Sequence, residues 1–125
     1  MRNTLLLALL ALLLAACSPQ ASSSDSGIYG QVVIGPTCPV ERPGLDCADR
    51  PYQATLSVLT PAGKRVARFT TAQDGTFRIN IAPGDYILHP ETPQGQTLPV
   101  APEQPFTVES GKFTQLAVSY DSGIR

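Results

Sequence analysis

The sequence has no familiar catalytic motif and few residues from which an active site could be built. It contains one histidine, His89, and no tryptophan. It has no G-x-S-x-G, no H-E-x-x-H and no glycine-rich phosphate loop. Catalysis needs partner side chains within hydrogen-bond reach, and a lone histidine before a proline provides none. We therefore predict no enzyme, no catalytic residue and no cofactor, with a hydrolase that depends on His89 as the weakest alternative.

Charge is also scarce, and it is scattered along the chain. Nine basic and ten acidic residues give a formal net charge of −1. There is no basic run, and nucleic-acid binding depends on clustered Lys and Arg. We therefore predict no nucleic-acid partner. Asp74 and Asp85 lie in predicted turns, where aspartate usually serves the backbone, so we predict no metal site.

The longest apolar run lies at the N-terminus, where residues 5–16 are all Leu or Ala and follow Arg2. Such a run is too short to span a bilayer and suits the h-region of a signal peptide. It ends in Leu14-Ala15-Ala16-Cys17, which resembles the bacterial lipobox. The resemblance implies a lipoprotein signal peptide over residues 1–16, cleavage before Cys17, and acyl chains such as palmitate on that cysteine.

Residues 17–26 then read as a lipidated cysteine followed by a flexible, serine-rich tether. This predicts an exported protein whose first partner is a membrane, reached through an N-terminal lipid anchor. Ser18 follows the cysteine where Asp would favour the inner membrane, so the outer membrane is expected if the host has two. An ordinary secretory signal that ends near a cysteine is the alternative.

Of the three cysteines, Cys38 and Cys47 remain once Cys17 is set aside. An exported protein meets an oxidising compartment, so the simplest assignment is a Cys38–Cys47 disulfide. The spacing is far from the C-x-x-C of redox pairs, and the single histidine is distant in sequence, which disfavours a metal or redox pair.

Short alternating segments, separated by Gly and Pro, predict an all-β fold. Apolar residues occupy every second position, as in Phe77, Ile79 and Ile81. The prolines all follow residue 18, which disfavours long helices. We predict seven strands in a single antiparallel β-sandwich, at residues 27–35, 53–60, 65–71, 76–81, 85–89, 106–109 and 113–120. Residues 90–105 are predicted to be a long loop, with a short edge strand near Leu98–Val100.

The segment from Phe69 to Leu88 carries a family resemblance. Its pattern F-x-T-x-x-D-G-x-F-x-I-x-I-x-P-G-x-Y-x-L is similar to the core of carboxypeptidase regulatory-like domains. These are prealbumin-like (transthyretin-like) sandwiches with Ig-like, Greek-key strand order. The resemblance implies such a domain over residues 27–120, with a C-terminal tail at 121–125, but it implies no activity, because these modules accompany many unrelated proteins.

These features together predict a membrane-anchored cell-envelope lipoprotein whose sandwich is a non-catalytic interaction or structural module. Loops carry variable chemistry on a rigid scaffold, so the disulfide loop and the residues after it form the expected contact surface, with Arg42, Arg50 and Tyr52 as candidate partner-binding residues. The partner would be an envelope protein or a glycan. The alternative is a carbohydrate-binding lipoprotein that stacks sugars on Tyr52, Tyr86 or Tyr120.

Overall fold

The computed structural model describes residues 25–125. The predicted signal peptide, Cys17 and nearly all of the predicted tether lie outside the described residues. The described part forms eight β-strands: β1 (Gly27–Gly35), β2 (Arg50–Pro51), β3 (Thr55–Leu59), β4 (Arg65–Thr70), β5 (Thr76–Asn80), β6 (Gly84–Pro90), β7 (Gln104–Val108) and β8 (Phe113–Asp121). Among these residues, no helix is long and apolar enough to cross a membrane.

The strands form two sheets. In the first sheet β1 is central: β8 pairs along its whole length, while β5 and then β2 pair with its other edge. The second sheet has the order β4-β3-β6-β7. The inner faces of both sheets supply one apolar core, so the prediction of an all-β sandwich is confirmed.

Two details of the predicted sandwich are wrong. There are eight strands rather than seven, because the residues Arg50 and Pro51 pair with Ile34 and Val33. The sandwich is also not wholly antiparallel, since β1 and β8 run parallel from Gly27 to Gly35. Parallel neighbours need a long crossover connection, and here six intervening strands provide it. The edge strand predicted near Leu98–Val100 is reduced to a single bridge between Val100 and Asp121.

The core follows from the two-residue period of the strands. Side chains of one parity point inward, and the largest fully buried ones come from both sheets: Tyr120, Ile28, Leu56, Leu88, Val32, Val58 and Val108. Gly30 also lies on the inner parity of β1. A Cβ there would collide with the backbone carbonyl of Leu116, so only glycine allows β1 and β8 to approach this closely.

Residues just outside the limits predicted for the domain also belong to the folded structure. Ser26 is buried, with its Oγ donating to the Ile81 carbonyl oxygen at 2.7 Å. At the other terminus, Asp121 is still part of β8. Both residues are held by partners distant in sequence, which local composition does not reveal.

The two ends of the sandwich differ in character. At the end where the chain enters β1, here called the tether end, the connections are short: 60–64, which contains the turn 61–63, then 81–83 and 109–112. At the opposite end, here called the loop end, lie the long segments 36–49 and 91–103 and the tail 122–125. The nine residues of β1 separate the two ends by roughly 27 Å.

Candidate functional site

The disulfide loop, residues 38–47, projects from the loop end. Cys38 and Cys47 are bonded, with their Cα atoms 5.3 Å apart, which confirms the predicted pairing. Most of the loop is exposed, including the apolar side chains of Val40 and Leu45, which are 59% and 56% accessible. A disulfide of this kind indicates an oxidising, exported environment.

The three predicted partner-binding residues all lie at the loop end, but they do not converge on one site. Arg42 lines a shallow cavity of about 570 Å³ within the disulfide loop. Arg50 lines a smaller one of about 290 Å³ between β1, β2 and the C-terminal tail. Tyr52 lines a third, of about 580 Å³, on the other sheet. The loop end therefore offers three separate concave surfaces.

The tyrosines proposed for sugar stacking do not form an exposed aromatic platform. Tyr120 is 1% accessible. Tyr52 is half-buried and meets the Tyr120 ring edge-on, with centroids 5.0 Å apart. Tyr86 stacks on buried Phe106, and its hydroxyl donates to the Ala82 carbonyl at 2.7 Å. Only Tyr52 of the three lies beside a cavity large enough for a ligand.

The C-terminal tail is fastened to the loop end. Ser122 donates from its backbone N–H to the Gly35 carbonyl at 2.9 Å and from its Oγ to the Pro36 carbonyl at 2.7 Å. The Arg125 guanidinium hydrogen-bonds the Asp121 carboxylate and, with the Gly123 backbone N–H, lowers the pKa of Asp121 to about 2. The tail thereby forms one wall of the cavity beside Arg50.

The third cavity, here called the outer-face groove, was not predicted from the sequence. It lies on the outward side of β3 and β4, beneath the start of the 91–103 loop, and its principal polar and aromatic side chains are Tyr52, Gln53, Thr55, Arg68, Thr70 and Glu91. The register explains this grouping, because Thr55 pairs with Thr70 and Ser57 with Arg68. Their neighbours in the two strands, Leu56, Val58, Ala67 and Phe69, face the core, so the four polar residues lie on the outer face of the sheet.

The walls of the groove are held by several hydrogen bonds. Arg68 Nε lies 2.9 and 3.2 Å from the two carboxylate oxygens of Glu91. The backbone of Glu91 is fixed at both polar groups: its N–H donates to the Thr55 carbonyl at 3.0 Å, and its carbonyl accepts from the Tyr120 hydroxyl at 2.7 Å. The Gln53 amide donates to the Thr71 carbonyl at 3.0 Å. The groove is thus built by the fold before any ligand arrives.

A row of Ser, His and Glu crosses the same sheet face. Ser57 on β3 is the register partner of His89 on β6, and His89 Nδ1 lies 2.7 Å from a Glu103 carboxylate oxygen. A serine nucleophile needs a hydrogen bond to its base. Within residues 25–125 no hydrogen bond joins these two side chains, and Ser57 is only 2% accessible. The row therefore has the residue types of a triad without the contact that activates serine.

The two turn aspartates act on the backbone and on nearby hydroxyls. Asp74 Oδ1 accepts from the Thr76 hydroxyl at 2.6 Å and from the Thr76 N–H at 3.0 Å, and these bonds lower the pKa of Asp74. Asp85 accepts from the Thr107 hydroxyl at 2.8 Å. Over residues 25–125 no three His, Cys, Asp or Glu side chains cluster as metal ligands would.

The fold and the loop end define a β-sandwich protein that carries three concave surfaces at one end. Among solved structures, this chain is similar to the Bacillus anthracis TIE protein, with 15% sequence identity and a TM-score of 0.52. The match covers 78% of this chain and 17% of that one, and at such low identity it supports the fold alone. No family model and no curated protein matches the chain.

The sequence indicated part of this site. Proline and cysteine marked the disulfide loop as the exposed insertion, and Arg42, Arg50 and Tyr52 all lie at the same end as that loop. The outer-face groove was missed because Thr55, Arg68 and Glu91 belong to three separate segments. The one local signal was the polar parity of β3 and β4, in which Thr55, Ser57, Arg68 and Thr70 alternate with apolar residues.

Proposed function

We propose that this protein is an exported, lipid-anchored envelope lipoprotein. In this proposal its β-sandwich, of the carboxypeptidase regulatory-like type, is a non-catalytic interaction module. Cys17 carries the anchor, and residues 18–25 serve as the tether. The loop end, with the disulfide loop at its tip, contacts an envelope partner. The Cys38–Cys47 disulfide supports the exported address.

This proposal rests on one observation: the chain enters the sandwich at the end opposite the disulfide loop. The chain enters β1 at Gly27, beside the short turns, whereas the disulfide loop follows Gly35 at the far end of the same strand. A tether at Gly27 would therefore point the loop end away from the membrane. These three cavities lie at that end, and so do Val40 and Leu45, the two most exposed large apolar side chains within residues 25–125.

Site-specific photo-crosslinking in intact cells tests this arrangement. A photoreactive amino acid placed at Leu45, at the tip of the disulfide loop, should give discrete covalent adducts with an envelope component. The matched control is the same amino acid at Ala62, an exposed residue of the 61–63 turn at the tether end, which should give none. Adducts from Ala62 alone, or none from Leu45, Val40 and Gln94 alike, would contradict the proposal.

The weaker hydrolase alternative has its own test. A broad screen of hydrolytic substrates should show no activity that His89→Ala abolishes, because the Ser57 side chain is buried and is not bonded to His89 among the described residues. Any turnover that depends on His89 would favour the enzyme instead.

A further inference from the structure

We propose that the outer-face groove binds a neutral, polyhydroxylated ligand, namely a short segment of an envelope glycan. This inference rests on the proposed function, because it takes the loop end as the binding end. It differs from the sugar-stacking hypothesis based on the sequence, which placed the sugar on the ring of Tyr52, Tyr86 or Tyr120. Here the ligand contacts are hydroxyl, amide and guanidinium groups, with Tyr52 as the one aromatic wall.

The charge of the groove favours a neutral ligand. Its two charged side chains, Arg68 and Glu91, pair with each other at 2.9 Å, and its other lining residues are neutral. An anionic ligand would compete with Glu91 for the only cation, and a cationic ligand would compete with Arg68. A ligand that carries only hydroxyl groups can bind while Arg68 and Glu91 stay paired with each other.

The groove presents both hydrogen-bond donors and hydrogen-bond acceptors, as a ligand with hydroxyl groups requires. A hydroxyl both donates and accepts, so it pairs with surfaces that present both functions. Arg68 uses its Nε on Glu91, and within residues 25–125 its two terminal nitrogens make no hydrogen bond. Thr55 and Thr70 pair their hydroxyls at 3.2 Å, which leaves one of those two hydroxyl protons and further lone pairs for a ligand. The planar guanidinium and amide groups of the Arg and Gln side chains can each hydrogen-bond to neighbouring hydroxyls of the ligand.

The groove is also preorganised. The Glu91 backbone and carboxylate are held by Thr55, Tyr120 and Arg68, and the Tyr52 ring is fixed against the Tyr120 ring at 5.0 Å. Groups that are already fixed lose little conformational freedom when a ligand binds, which favours affinity. The volume of about 580 Å³ lies within the range of roughly 300–1,000 Å³ that is typical of small-molecule sites.

The experiment uses the full chain, purified in a detergent that contains no sugar. A glycan array that carries neutral and charged glycans selects candidates, and maltotetraose, cellotetraose and chitotetraose serve as soluble neutral probes. We expect saturable binding of at least one neutral glycan. Backbone amide shifts of Thr55, Thr70 and Gln94 should follow the same titration curve.

Two matched variants locate the site. Arg68→Met should weaken glycan binding by about tenfold or more, as expected for loss of a central polar contact. Lys112→Met should leave binding unchanged, because it removes the cation of a comparable exposed ion pair, with Glu109 at 3.0 Å, at the tether end. Thr70→Val, which removes one groove hydroxyl with little change of shape, should also weaken binding and keep the fold.

Several results would overturn this inference. One is the absence of saturable binding across the array and the probes, and another is binding confined to charged glycans. The others are amide shifts located in the disulfide loop and equal effects of Arg68→Met and Lys112→Met on binding. A protein crosslinked through Gln94 and not displaced by glycan would assign the groove to a protein partner instead. Adducts from Leu45 in cells would still support the proposed function in each of these cases, so the two failures are distinguishable.

Discussion

Tyr120 shows how one side chain links the core to the candidate site. Its ring is buried between the sheets, and burial raises the pKa of its phenol. Its hydroxyl emerges at the loop end and donates to the Glu91 carbonyl at 2.7 Å. Glu91 in turn holds Arg68. The position of the groove wall therefore depends on a residue near the end of the last strand.

Removal of that hydroxyl should be measurable. Tyr120→Phe keeps the ring but leaves the Glu91 carbonyl without its donor, so the free energy of unfolding should fall by about 1 kcal/mol, equivalent to roughly 4–8 °C in Tm. Urea denaturation measures the change. Tyr29→Phe is the control, because Tyr29 is 37% accessible and surface changes usually stay within about 0.5 kcal/mol. Equal losses in both variants would contradict the assigned role.

Asp121 makes stability depend on pH. Its folded-state pKa is lowered to about 2, first by the Arg125 hydrogen bonds, whereas an unfolded aspartate titrates near about 3.9. A lowered pKa adds stability above the unfolded value, and this stability is lost as pH falls through the folded one. Asp121→Asn should therefore be less stable than the native chain at neutral pH.

The free energies of unfolding of Asp121→Asn and the native protein should become more similar as the pH falls from about 4 to about 2, because the native Asp121 carboxylate becomes protonated over that range. Urea unfolding at several pH values measures both free energies. A constant difference between Asp121→Asn and the native chain across that range would contradict the assignment.

At the scale of the elements, the disulfide loop is an exposed insertion between β1 and β2. Its bond closes a sequence separation of nine residues, while the buried apolar core is built from other segments. The disulfide should therefore stabilise the sandwich chiefly by restricting the unfolded chain. It should not be needed for the strands to pair.

The double variant Cys38→Ser/Cys47→Ser tests this. Its free energy of unfolding should fall by about 2.5–3 kcal/mol, the value that the chain-entropy relation gives for a loop of this length. Core amide shifts should stay close to those of the native protein. A reducing agent should destabilise the native protein by a similar amount and leave the double variant unaffected. Loss of the folded core in the variant would show that the disulfide organises the sheets.

The elements also show what the sequence could predict. Each of the seven predicted strands is present, since alternation in segments such as Ile28 to Val32 marks which face is buried. The two-residue strand β2 was missed because Arg50 and Pro51 carry no alternation of their own. They pair only because the loop returns beside Ile34 and Val33.

At the scale of the whole molecule, the chain enters the sandwich at Gly27, at the end opposite the proposed contact surface. The lipobox-like Leu14-Ala15-Ala16-Cys17 lies outside the described residues, so its role remains a prediction from sequence. Two or more acyl chains would keep the protein on the membrane for long periods, because each buried CH₂ contributes about 0.8 kcal/mol. A single cysteine therefore decides the cellular address in this proposal.

Cys17→Ser tests the address. The variant should leave the membrane fraction and change its electrophoretic migration, because neither acylation nor cleavage before the cysteine can occur. Metabolic labelling with palmitate should mark the native protein and not the variant. Ser22→Ala, a change within the predicted tether, is the control and should stay in the membrane fraction. An unchanged distribution for Cys17→Ser would refute the lipid anchor.

The sequence by itself determined seven of the eight strand segments, the inward parity of residues such as Leu56 and Val58, and the two cysteines that pair. These features are local: side-chain alternation has a period of two, and cysteine count limits the pairing. Only the tertiary structure decided that β1 and β8 lie parallel, that the long loops share one end, and that Thr55, Arg68 and Glu91 form a groove. Such neighbours are chosen by contacts between distant segments, and the pattern within one segment does not carry that information.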